Sequence, residues 1–322
     1  MELHELRQSQ ALPLEMKIHK SLQRIREWYD HWRGQVYVSF SGGKDSTVLL
    51  NLVRSIYPDV LAVFCDTGLE YPEIRDFVST MDNIEVIRPK TSFRDVIFNE
   101  GYPVISKKVA QYLHQYRTAK SASFKNKLLN GWERGDGSIS RRFSIPYRWQ
   151  YLINAPFKIS DRCCNVMKKS PFKQLEKSGL MPMTGEMAED SETRKRIYLL
   201  SGCNSFKYKR PKSKPLGFWL EHDILEYLRS KNVPYSSIYG DIVSHEGQLI
   251  TTGAHRTGCM FCMFGIHMEK GENRFMRMQR THPGLWKYCI YQLGIGKVLN
   301  YIGIPYSDIF EEKPSKDGAV KA

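Results

Sequence analysis

The sequence lacks any long apolar run and any export signal. None of its 322 residues belongs to a stretch that approaches the ~18 to 20 apolar residues needed for a membrane-spanning helix. The first segment, Met1 to Glu15, is polar and shows no basic region followed by an apolar one. These absences predict a cytoplasmic protein with no membrane partner.

Acidic residues are the scarcer charge. The chain has 34 Asp and Glu against 48 Lys and Arg, which gives a formal net charge of +14. This excess suits a polyanionic partner, such as the phosphates of a nucleotide or a nucleic acid. A basic protein without such a partner has the same composition, so charge alone does not decide between the two.

The N-terminal third alternates short apolar strands with helical segments. An amphipathic helix is predicted at Leu14 to Trp32, and after it the predicted strands and helices are Gln35 to Phe40, Thr47 to Ile56, Val60 to Cys65, Glu73 to Thr80 and Ile84 to Ile87. This order predicts an α/β fold with a doubly wound, mostly parallel sheet. Further along, the pattern predicts a strand at Leu180 to Thr184, a helix at Glu221 to Ser230 and a terminal helical region at Arg274 to Asn300.

Changes in composition predict three parts of the chain. These are an N-terminal helix (1–33), a nucleotide-binding α/β domain (34–245) and a C-terminal cysteine-containing helical region (246–322). The α/β domain carries a basic, aromatic insertion at about 104–158, predicted as helical and followed by a surface loop.

A glycine-containing loop follows the first predicted strand and precedes a helix. Its residues are Ser39, Phe40, Ser41, Gly42, Gly43, Lys44, Asp45 and Ser46. Two glycines let the backbone approach an anion, and the helix N-terminus adds partial positive charge. Lys44 can neutralise phosphate oxygens, while Ser41 and Ser46 can donate hydroxyl hydrogen bonds. The loop therefore predicts a phosphate site, with Lys44, Asp45 and Ser46 as its catalytic residues.

The second predicted strand ends in a short polar segment. Asp66, Thr67 and Gly68 follow it directly, at the strand end where parallel sheets bind ligands. Asp66 is predicted to hold Mg²⁺ or a ribose. The alternative is that it caps a turn.

Four of the seven cysteines form two close pairs. Cys163 and Cys164 are adjacent, and Cys259 and Cys262 are separated by two residues. Two such pairs can supply four thiolate ligands to one centre. From the spacing, an iron–sulfur cluster, a zinc ion and two unrelated pairs of buried thiols all stay open, and the other cysteines (Cys65, Cys203 and Cys289) are predicted to be structural.

The phosphate loop resembles the PP-loop of the N-type ATP pyrophosphatases, and within them the phosphoadenosine phosphosulfate reductase family. The collinear matches are Ser39 to Ser46, Phe64 to Glu73, Thr184 to Ser191 with Arg194, and Pro215 to Trp219 leading into Asp223. The family usually has arginine where Glu186 stands. The resemblance implies an adenine nucleotide α-hydrolase-like, Rossmann-like fold that cleaves ATP to AMP and pyrophosphate with Mg²⁺. It also implies that Gly185 and Arg194 contact the nucleotide, together with the loop and Asp66 to Gly68.

The paired cysteines resemble the [4Fe–4S] pattern of adenylylsulfate reductases and of the DNA phosphorothioation sulfurtransferases. This resemblance implies a [4Fe–4S] cluster on Cys163, Cys164, Cys259 and Cys262. For a sulfurtransferase it also implies a sulfur-donor protein, such as a cysteine desulfurase.

Two features favour a sulfurtransferase over a sulfonucleotide reductase. Reductases of this family attack sulfur with a cysteine near the C-terminus, in a Glu-Cys-Gly context, whereas Cys289 stands in Lys287-Tyr288-Cys289-Ile290. They also carry a degenerate phosphate loop, whereas Ser41 to Ser46 matches the intact pattern. The reductase stays the first alternative and a non-catalytic nucleotide-binding or nucleic-acid-binding regulator the second.

The acceptor is predicted to be a nucleic acid, either DNA or tRNA. Basic residues in Lys107 to Lys158 and Lys207 to Lys214 alternate with aromatic ones such as Tyr116, Trp132 and Trp149. Basic side chains can follow a phosphate backbone while aromatic rings stack on bases. The alternative is that the charges only face solvent and the aromatic side chains pack inward.

Overall fold

The computed structural model describes residues 2–307. The α-helices within them are α1 (Leu3–Gln10), α2 (Leu14–His31), α3 (Lys44–Arg54), α4 (Pro72–Ser79), α5 (Phe93–Asn99), α6 (Lys107–Thr118), α7 (Ala122–Asn130), α8 (Ser170–Glu176), α9 (Glu192–Ser201), α10 (Glu221–Ser230), α11 (Arg274–Thr281), α12 (Pro283–Lys287) and α13 (Ile295–Tyr301). The strands are β1 (Val36–Phe40), β2 (Leu61–Cys65), β3 (Ile84–Ile87), β4 (Val104–Ile105), β5 (Trp132–Glu133), β6 (Ile139–Ser140), β7 (Met181–Thr184), β8 (Ile242–His245), β9 (Gln248–Thr251) and β10 (Met263–Phe264). Across these described residues, no helix has both the length and the apolar character that crossing a bilayer requires.

The chain divides into two compact units, each made of two separate stretches of sequence. The first unit comprises Met1–Thr91 and Val166–Cys259, and the second comprises Ser92–Asn165 and Met260–Ala322. Residues 308–322 of the second unit lie outside the described part of the chain.

These units divide the chain differently from the three parts predicted from composition. Helix α2 packs against α3 and α10, so the N-terminal helix is part of the first unit and not a separate segment. Strand β9 also packs against α10, which moves the end of the first unit from residue 245 to Cys259. The basic insertion belongs with the C-terminal region, because β4 pairs with β10 in a parallel ladder. Composition cannot reveal such pairing between distant segments.

The first unit is built on a four-stranded parallel sheet with the order β3-β2-β1-β7. The predicted α/β class with a parallel sheet is confirmed. Helix α3 packs against β1, and helices α2, α3 and α10 pack against one another. Strand β1 lies between β2 and β7, and its side chains are buried except at Ser39. Buried parallel strands read as continuous apolar runs, which is why the sequence revealed them.

The predicted elements of this unit are confirmed to within three residues at each end. Strand β3 and helix α10 match their predicted bounds, and α2 ends one residue early at His31. The apolar stripe of α2 faces the core, since Ile25 and Trp28 are both 0% exposed. The helical spacing of the apolar residues in α2 therefore predicts correctly which face of the helix is buried.

The second unit is mainly helical and contains short ladders. Arg117 on α6 donates hydrogen bonds to backbone carbonyls of Leu152, Ile153, Ala155 and Phe157, which ties α6 to the 3-10 helix Tyr147–Asn154. The later part of the insertion, predicted to be a surface loop, contains the β5–β6 hairpin.

The terminal helical region is not one continuous helix. Pro283 starts α12 directly after α11, and Gly294, with a φ of +69°, precedes α13. Proline interrupts a helical ladder and glycine readily takes the left-handed conformation, so both breaks follow from local chemistry.

Candidate functional site

The predicted phosphate loop forms the turn between β1 and α3. Gly42 takes a φ of +70°, and a Cβ there would lie 2.7 Å from Ile74 Cγ2 and 2.9 Å from Val78 Cγ2. The Ser41 N–H donates to Ser46 Oγ at 3.1 Å, and Ser46 Oγ donates to the Gly43 carbonyl at 2.9 Å. Glycine and these two bonds close the turn tightly at the start of α3, where backbone N–H groups favour an anion.

The loop lies where the strand order of the sheet reverses. Strand β1 is followed in sequence by β2 on one side, while β7 pairs with its other edge. In open parallel sheets, ligands bind at such a point, beyond the carboxyl ends of the strands. Gly185 follows β7 directly, and a Cβ there would lie 3.0 Å from the Asp45 carbonyl oxygen. Gly185 therefore lets the β7 end approach the loop.

A polar cavity of about 400 Å³ opens beside the loop. Its lining contains most of the predicted nucleotide-binding residues: Ser39, Ser41, Gly43, Lys44, Asp45, Ser46, Gly185 and Arg194. The lining also contains Glu186 and Asp190, which belong to the matched segment Thr184 to Ser191, and three residues that were not predicted: Tyr239, Arg256 and Thr257. Gly42 packs closely against α4 and is not part of the cavity lining.

Lys44 is charged and tightly held. Its Nζ lies 3.0 Å from Glu221 Oε1 and 3.4 Å from Asp45 Oδ1, and it donates to the His255 carbonyl at 3.2 Å. Burial on its own would lower the pKa of Lys44, but the carboxylates of Asp45 and Glu221 outweigh it and raise that pKa above its usual value. Lys44 is therefore an ammonium ion at neutral pH.

Asp190, which also lines the polar cavity, forms ion pairs with two arginines. It forms ion pairs with Arg194 and with Arg256, the latter at 2.9 Å, and it accepts the Met187 backbone N–H at 3.0 Å. Asp190 is 3% exposed, whereas both arginines are nearly half exposed. A buried carboxylate thus orients two arginines that remain accessible to an anionic ligand.

A smaller cavity of about 160 Å³ adjoins the polar one and shares Ser39, Ser41 and Thr257 with it. Its other walls are mostly apolar or aromatic, with one ion pair, Lys168 and Glu70, among them. The apolar and aromatic residues are Phe40, Phe64, Cys65, Tyr71, Ile74 and Phe172. Burial raises the pKa of Cys65 to about 11, so this side chain stays a neutral thiol at physiological pH. An apolar pocket next to a phosphate-type pocket is the arrangement expected for a nucleotide.

The predicted group at the end of β2 lies outside the lining of both cavities. Asp66 pairs with Arg88 at 3.2 Å and Arg75 at 3.4 Å, and it accepts the Gly68 N–H at 3.2 Å. The Thr67 N–H donates to Glu70 at 3.0 Å. These contacts place Asp66, Thr67 and Gly68 in a stabilised turn, while their binding of Mg²⁺ or ribose stays a prediction.

The paired cysteines are divided by the two units. Cys163, Cys164 and Cys262 belong to the second unit, and Cys259 is the last residue of the first. Burial raises the pKa of Cys262 and Cys164 raises it further, against the opposing effect of Arg274 and Lys107. Cys164 and Cys262 are therefore close enough to interact electrostatically. Within residues 2–307, no group of three or more histidine, cysteine, aspartate or glutamate side chains is arranged to hold a metal ion.

The three remaining cysteines are buried, as predicted for structural residues. Burial raises the pKa of Cys203 and of Cys289. The Cys65 thiol donates to the Met167 carbonyl at 3.5 Å. Because the thiolate is the reactive form, none of the three has the character of a nucleophile.

Sequence reasoning missed several lining residues for a physical reason. Tyr239 lies 195 positions after Lys44 and accepts its backbone N–H at 3.2 Å. Arg256 and Thr257 lie just before Cys259 and Cys262 in the sequence. Of the two, only Arg256 was noticeable in the sequence, as a basic neighbour of these cysteines. Side chains brought in from a distant segment have no local pattern that marks them.

With this geometry established, comparison with known proteins identifies the family. A model described as the phosphoadenosine phosphosulfate reductase domain matches residues 35–131 and 142–263, which is more than half of the chain. The chain belongs to the phosphoadenosine phosphosulfate reductase family. All of the residues that line the polar cavity fall within the match, so the cavity is part of the family domain.

Individual relatives of this family member are distant. An uncharacterised protein of Methanocaldococcus jannaschii is 26% identical over 274 residues, which cover 82% of this chain but only 42% of the relative. The adenosine 5′-phosphosulfate reductase of Staphylococcus epidermidis is 24% identical over 221 residues, covering 68% of this chain and 72% of the enzyme. The chain thus spans less than half of the archaeal protein.

A solved structure is also similar in part. It is the phosphoadenylyl-sulfate reductase of Candida auris in a phosphate complex, with 15% identity and a TM-score of 0.38. The similarity covers 74% of this chain and 98% of the other. At this TM-score the likeness bears on neither substrate nor mechanism.

Proposed function

We propose that this protein cleaves ATP between the α- and β-phosphates and uses the resulting adenylyl group to activate an acceptor for sulfur transfer. The observation that carries the proposal is the pair of adjoining cavities at the end of β1. The polar one is lined by the loop, Lys44, Arg194 and Arg256, and the apolar one by aromatic side chains. Their shared wall fits a nucleotide whose phosphates lie on the loop and whose base lies among Phe64, Tyr71 and Phe172.

The residues of the loop suit a departing pyrophosphate. In the proposed reaction an acceptor oxygen attacks the α-phosphorus, and the bond from that phosphorus to the bridging oxygen breaks. The electron pair leaves with pyrophosphate, whose charge the loop N–H groups and Lys44 stabilise. Arg194 and Arg256 are positioned by Asp190 to neutralise further phosphate oxygens. Magnesium would accompany ATP and share that charge.

Sulfur transfer completes the proposed function. An oxygen on the acceptor that has been adenylylated leaves as AMP when a sulfur nucleophile replaces it. The sulfur would come as a persulfide from a donor protein, such as a cysteine desulfurase. Its terminal sulfur displaces AMP and forms a disulfide with the acceptor, and an added thiol reduces that disulfide to release the thiolated acceptor and the donor cysteine. The basic and aromatic segment Lys107 to Lys158 supports a nucleic acid, DNA or tRNA, as the acceptor.

The products of ATP turnover test the proposal. ATP labelled at the α-phosphate should yield labelled AMP together with pyrophosphate, and the yield should rise when candidate DNA or tRNA and a sulfur donor are added. Thin-layer chromatography of the label and an enzymatic pyrophosphate assay measure both products. Release of ADP and orthophosphate would contradict the assignment.

A second candidate, sulfonucleotide reduction, is favoured by the names of several relatives, which are adenosine 5′-phosphosulfate reductases. Identities of 20 to 24% leave substrate open. The two functions separate in one assay with adenosine 5′-phosphosulfate and a thiol reductant. Formation of sulfite and AMP without ATP would establish the reductase and exclude the first proposal.

The four paired cysteines are proposed to hold a [4Fe–4S] cluster. Four thiols have the right donor chemistry, and the interaction of Cys164 with Cys262 is consistent with a shared centre. The described residues do not bring three of these ligands together, so the proposal rests on spacing and resemblance, and no reaction step is assigned to the cluster.

Metal analysis tests the cluster. Protein purified without oxygen should be brown and contain about four irons and four sulfides per chain. Cys259→Ala should lower the iron content, whereas Cys203→Ala should leave it unchanged, because Cys203 is a buried structural thiol. Colourless protein with one tightly bound zinc ion would overturn the proposal.

A further inference from the structure

The second unit contains an aromatic cavity that the ATP chemistry does not use. It has a volume of about 420 Å³ and is lined by Tyr112, Gln115, Phe124, Leu128, Trp132 and Phe143. These six residues come from α6, α7, β5 and the segment after β6, and together they define the aromatic cavity.

The rings of the aromatic cavity are held in place and yet remain open to ligand. Phe124 and Trp132 contact edge to face, with centroids 6.1 Å apart and planes at 79°. The Trp132 indole N–H donates to the Phe143 carbonyl at 3.2 Å. Leu128 is buried and forms the floor, whereas Phe143 is 49% exposed. Because the Phe143 side chain is half exposed, the aromatic cavity is open to solvent and a ligand can reach it.

Cations surround the aromatic cavity. Lys127 Nζ lies 5.1 Å from the Trp132 ring centroid, and the Arg142 guanidinium lies 5.5 Å from that of Phe143. Burial raises the pKa of Tyr112 and Arg142 opposes the rise, which places Arg142 near a second ring of the wall. Residues 107–158 contain eleven Lys and Arg but only two Asp and Glu. The pocket is apolar inside and positively charged at its rim.

Aromatic walls with cations beside them favour a ligand that joins a flat apolar group to negative charge. An apolar peptide or a second copy of this basic chain would gain nothing from the cations, and a second copy would be repelled by them. A nucleobase offers flat faces to aromatic rings, and the phosphates on either side of it offer negative charge to Lys127 and Arg142. Gln115 supplies an amide with donors and an acceptor, which matches the polar edge of a base.

We propose that the aromatic cavity binds an unstacked base of a single-stranded nucleic acid, with Lys127 and Arg142 on the adjacent phosphates and Gln115 on the base edge. The inference rests on the proposed function in that it names where a nucleic-acid acceptor is held. It assigns a binding role to residues of the second unit only, separate from the cavities of the first unit that are proposed to take ATP.

Two matched oligonucleotides test the proposal on the full-length chain. One is a short fluorescein-labelled oligothymidylate, and the other has the same backbone without bases. Fluorescence anisotropy in the absence of ATP should show tighter binding of the base-bearing strand. Trp132→Ala should weaken that binding by roughly tenfold to a hundredfold, the effect of losing a stacking platform, and should leave the abasic strand nearly unchanged.

Control variants separate stacking from charge and from misfolding. Tyr147→Ala removes an aromatic side chain that is 85% exposed in the same basic segment but lies outside the cavity lining, and it should change neither affinity. Trp132→Phe should restore most of the affinity lost in Trp132→Ala. Arg142→Ala should weaken both strands and flatten the salt dependence by a slope of about 0.7, the value for one phosphate contact.

Three outcomes would overturn the proposal. They are an absence of DNA and RNA binding even at low salt, an equal loss for both strands in Trp132→Ala, and dimerisation of the chain that Trp132→Ala abolishes. The corresponding RNA oligonucleotides decide between RNA and DNA as the source of the base. Because ATP is left out, failure of ATP cleavage would not produce any of these results, and the two proposals can fail separately.

Discussion

Two lysines of the first unit carry their charge almost entirely out of water, and they do so for different purposes. Lys17 on α2 pairs with Asp223 on α10 at 2.6 Å and is 2% exposed, so it joins two helices. Lys44 is 3% exposed and pairs with Glu221, but it also forms part of the wall of the polar cavity. The similar burial of the two side chains allows the structural cost of losing a charge to be measured apart from its chemical effect.

Replacing each of these lysines by methionine should separate the two roles. Lys17→Met leaves the buried Asp223 carboxylate without its cation and should lose about 3 to 5 kcal/mol of stability in chemical denaturation. Lys44→Met should lose less, because Glu221 is 17% exposed and keeps Arg256 at 3.6 Å. Lys44→Met should in addition lower the rate of AMP formation by roughly two to three orders of magnitude, because it removes the charge that we propose stabilises the leaving pyrophosphate.

Lys17→Met is the matched control and should keep the wild-type rate per folded molecule at a temperature where both variants are native. Comparable rates for the two variants would mean that Lys44 has only a structural role, and ATP cleavage would then have to be assigned to other groups.

At the scale of elements, the turns after β1 and β2 can be compared, because each contains a glycine with a positive φ. Gly42 has a φ of +70° and Gly68 a φ of +72°, so alanine is strained to a similar degree at both positions. They differ in surroundings, because a Cβ at Gly42 would contact Ile74 and Val78 on α4, whereas nothing lies within 4 Å of one at Gly68.

Alanine at these two positions should therefore give unequal losses. Gly68→Ala should cost about 1 kcal/mol, the penalty of the left-handed conformation. Gly42→Ala should cost about 1 to 3 kcal/mol more, because the loop is pushed away from α4. Urea titrations followed by circular dichroism provide the comparison. If both variants lost the same amount, the packing of the phosphate loop on α4 would contribute nothing to stability.

The elements that could be predicted from the sequence are those whose pattern is local. The strands β1 and β2 are buried apolar runs next to turns, and the loop at Ser41 to Ser46 has its glycines and lysine adjacent in sequence. The rest of the candidate site depends on partners that are distant. Asp66 was interpreted as a ligand-binding residue because it ends a strand, and nothing local indicated that Arg75 and Arg88 would pair with it.

On the scale of the whole molecule, the two units should be distinguishable in thermal unfolding. Chains with more than one compact body commonly depart from two-state behaviour, and a ligand stabilises the body that binds it. We expect two transitions in calorimetry. ATP at about a hundredfold excess over its dissociation constant should stabilise the first unit by about 2.7 kcal/mol and raise the Tm of one transition.

The oligothymidylate should raise the Tm of the other transition, because the aromatic cavity belongs to the second unit. GTP serves as a control for nonspecific effects of added phosphate. A single transition that both ligands shift together would show that the chain unfolds as one cooperative body.

The pairing of β1 with β7 has a consequence for how the protein is made. The ribosome releases β1, β2 and β3 early, but β7 emerges about 140 residues after β1 ends. At a synthesis rate of about 5 to 20 residues per second, one edge of β1 waits roughly 7 to 30 seconds for its neighbour. During that time a nascent three-stranded sheet presents an unpaired hydrophobic edge, the kind of surface that recruits chaperones or aggregates. Slow codons between β3 and β7 should therefore lower the soluble yield, and faster translation of that stretch should raise it.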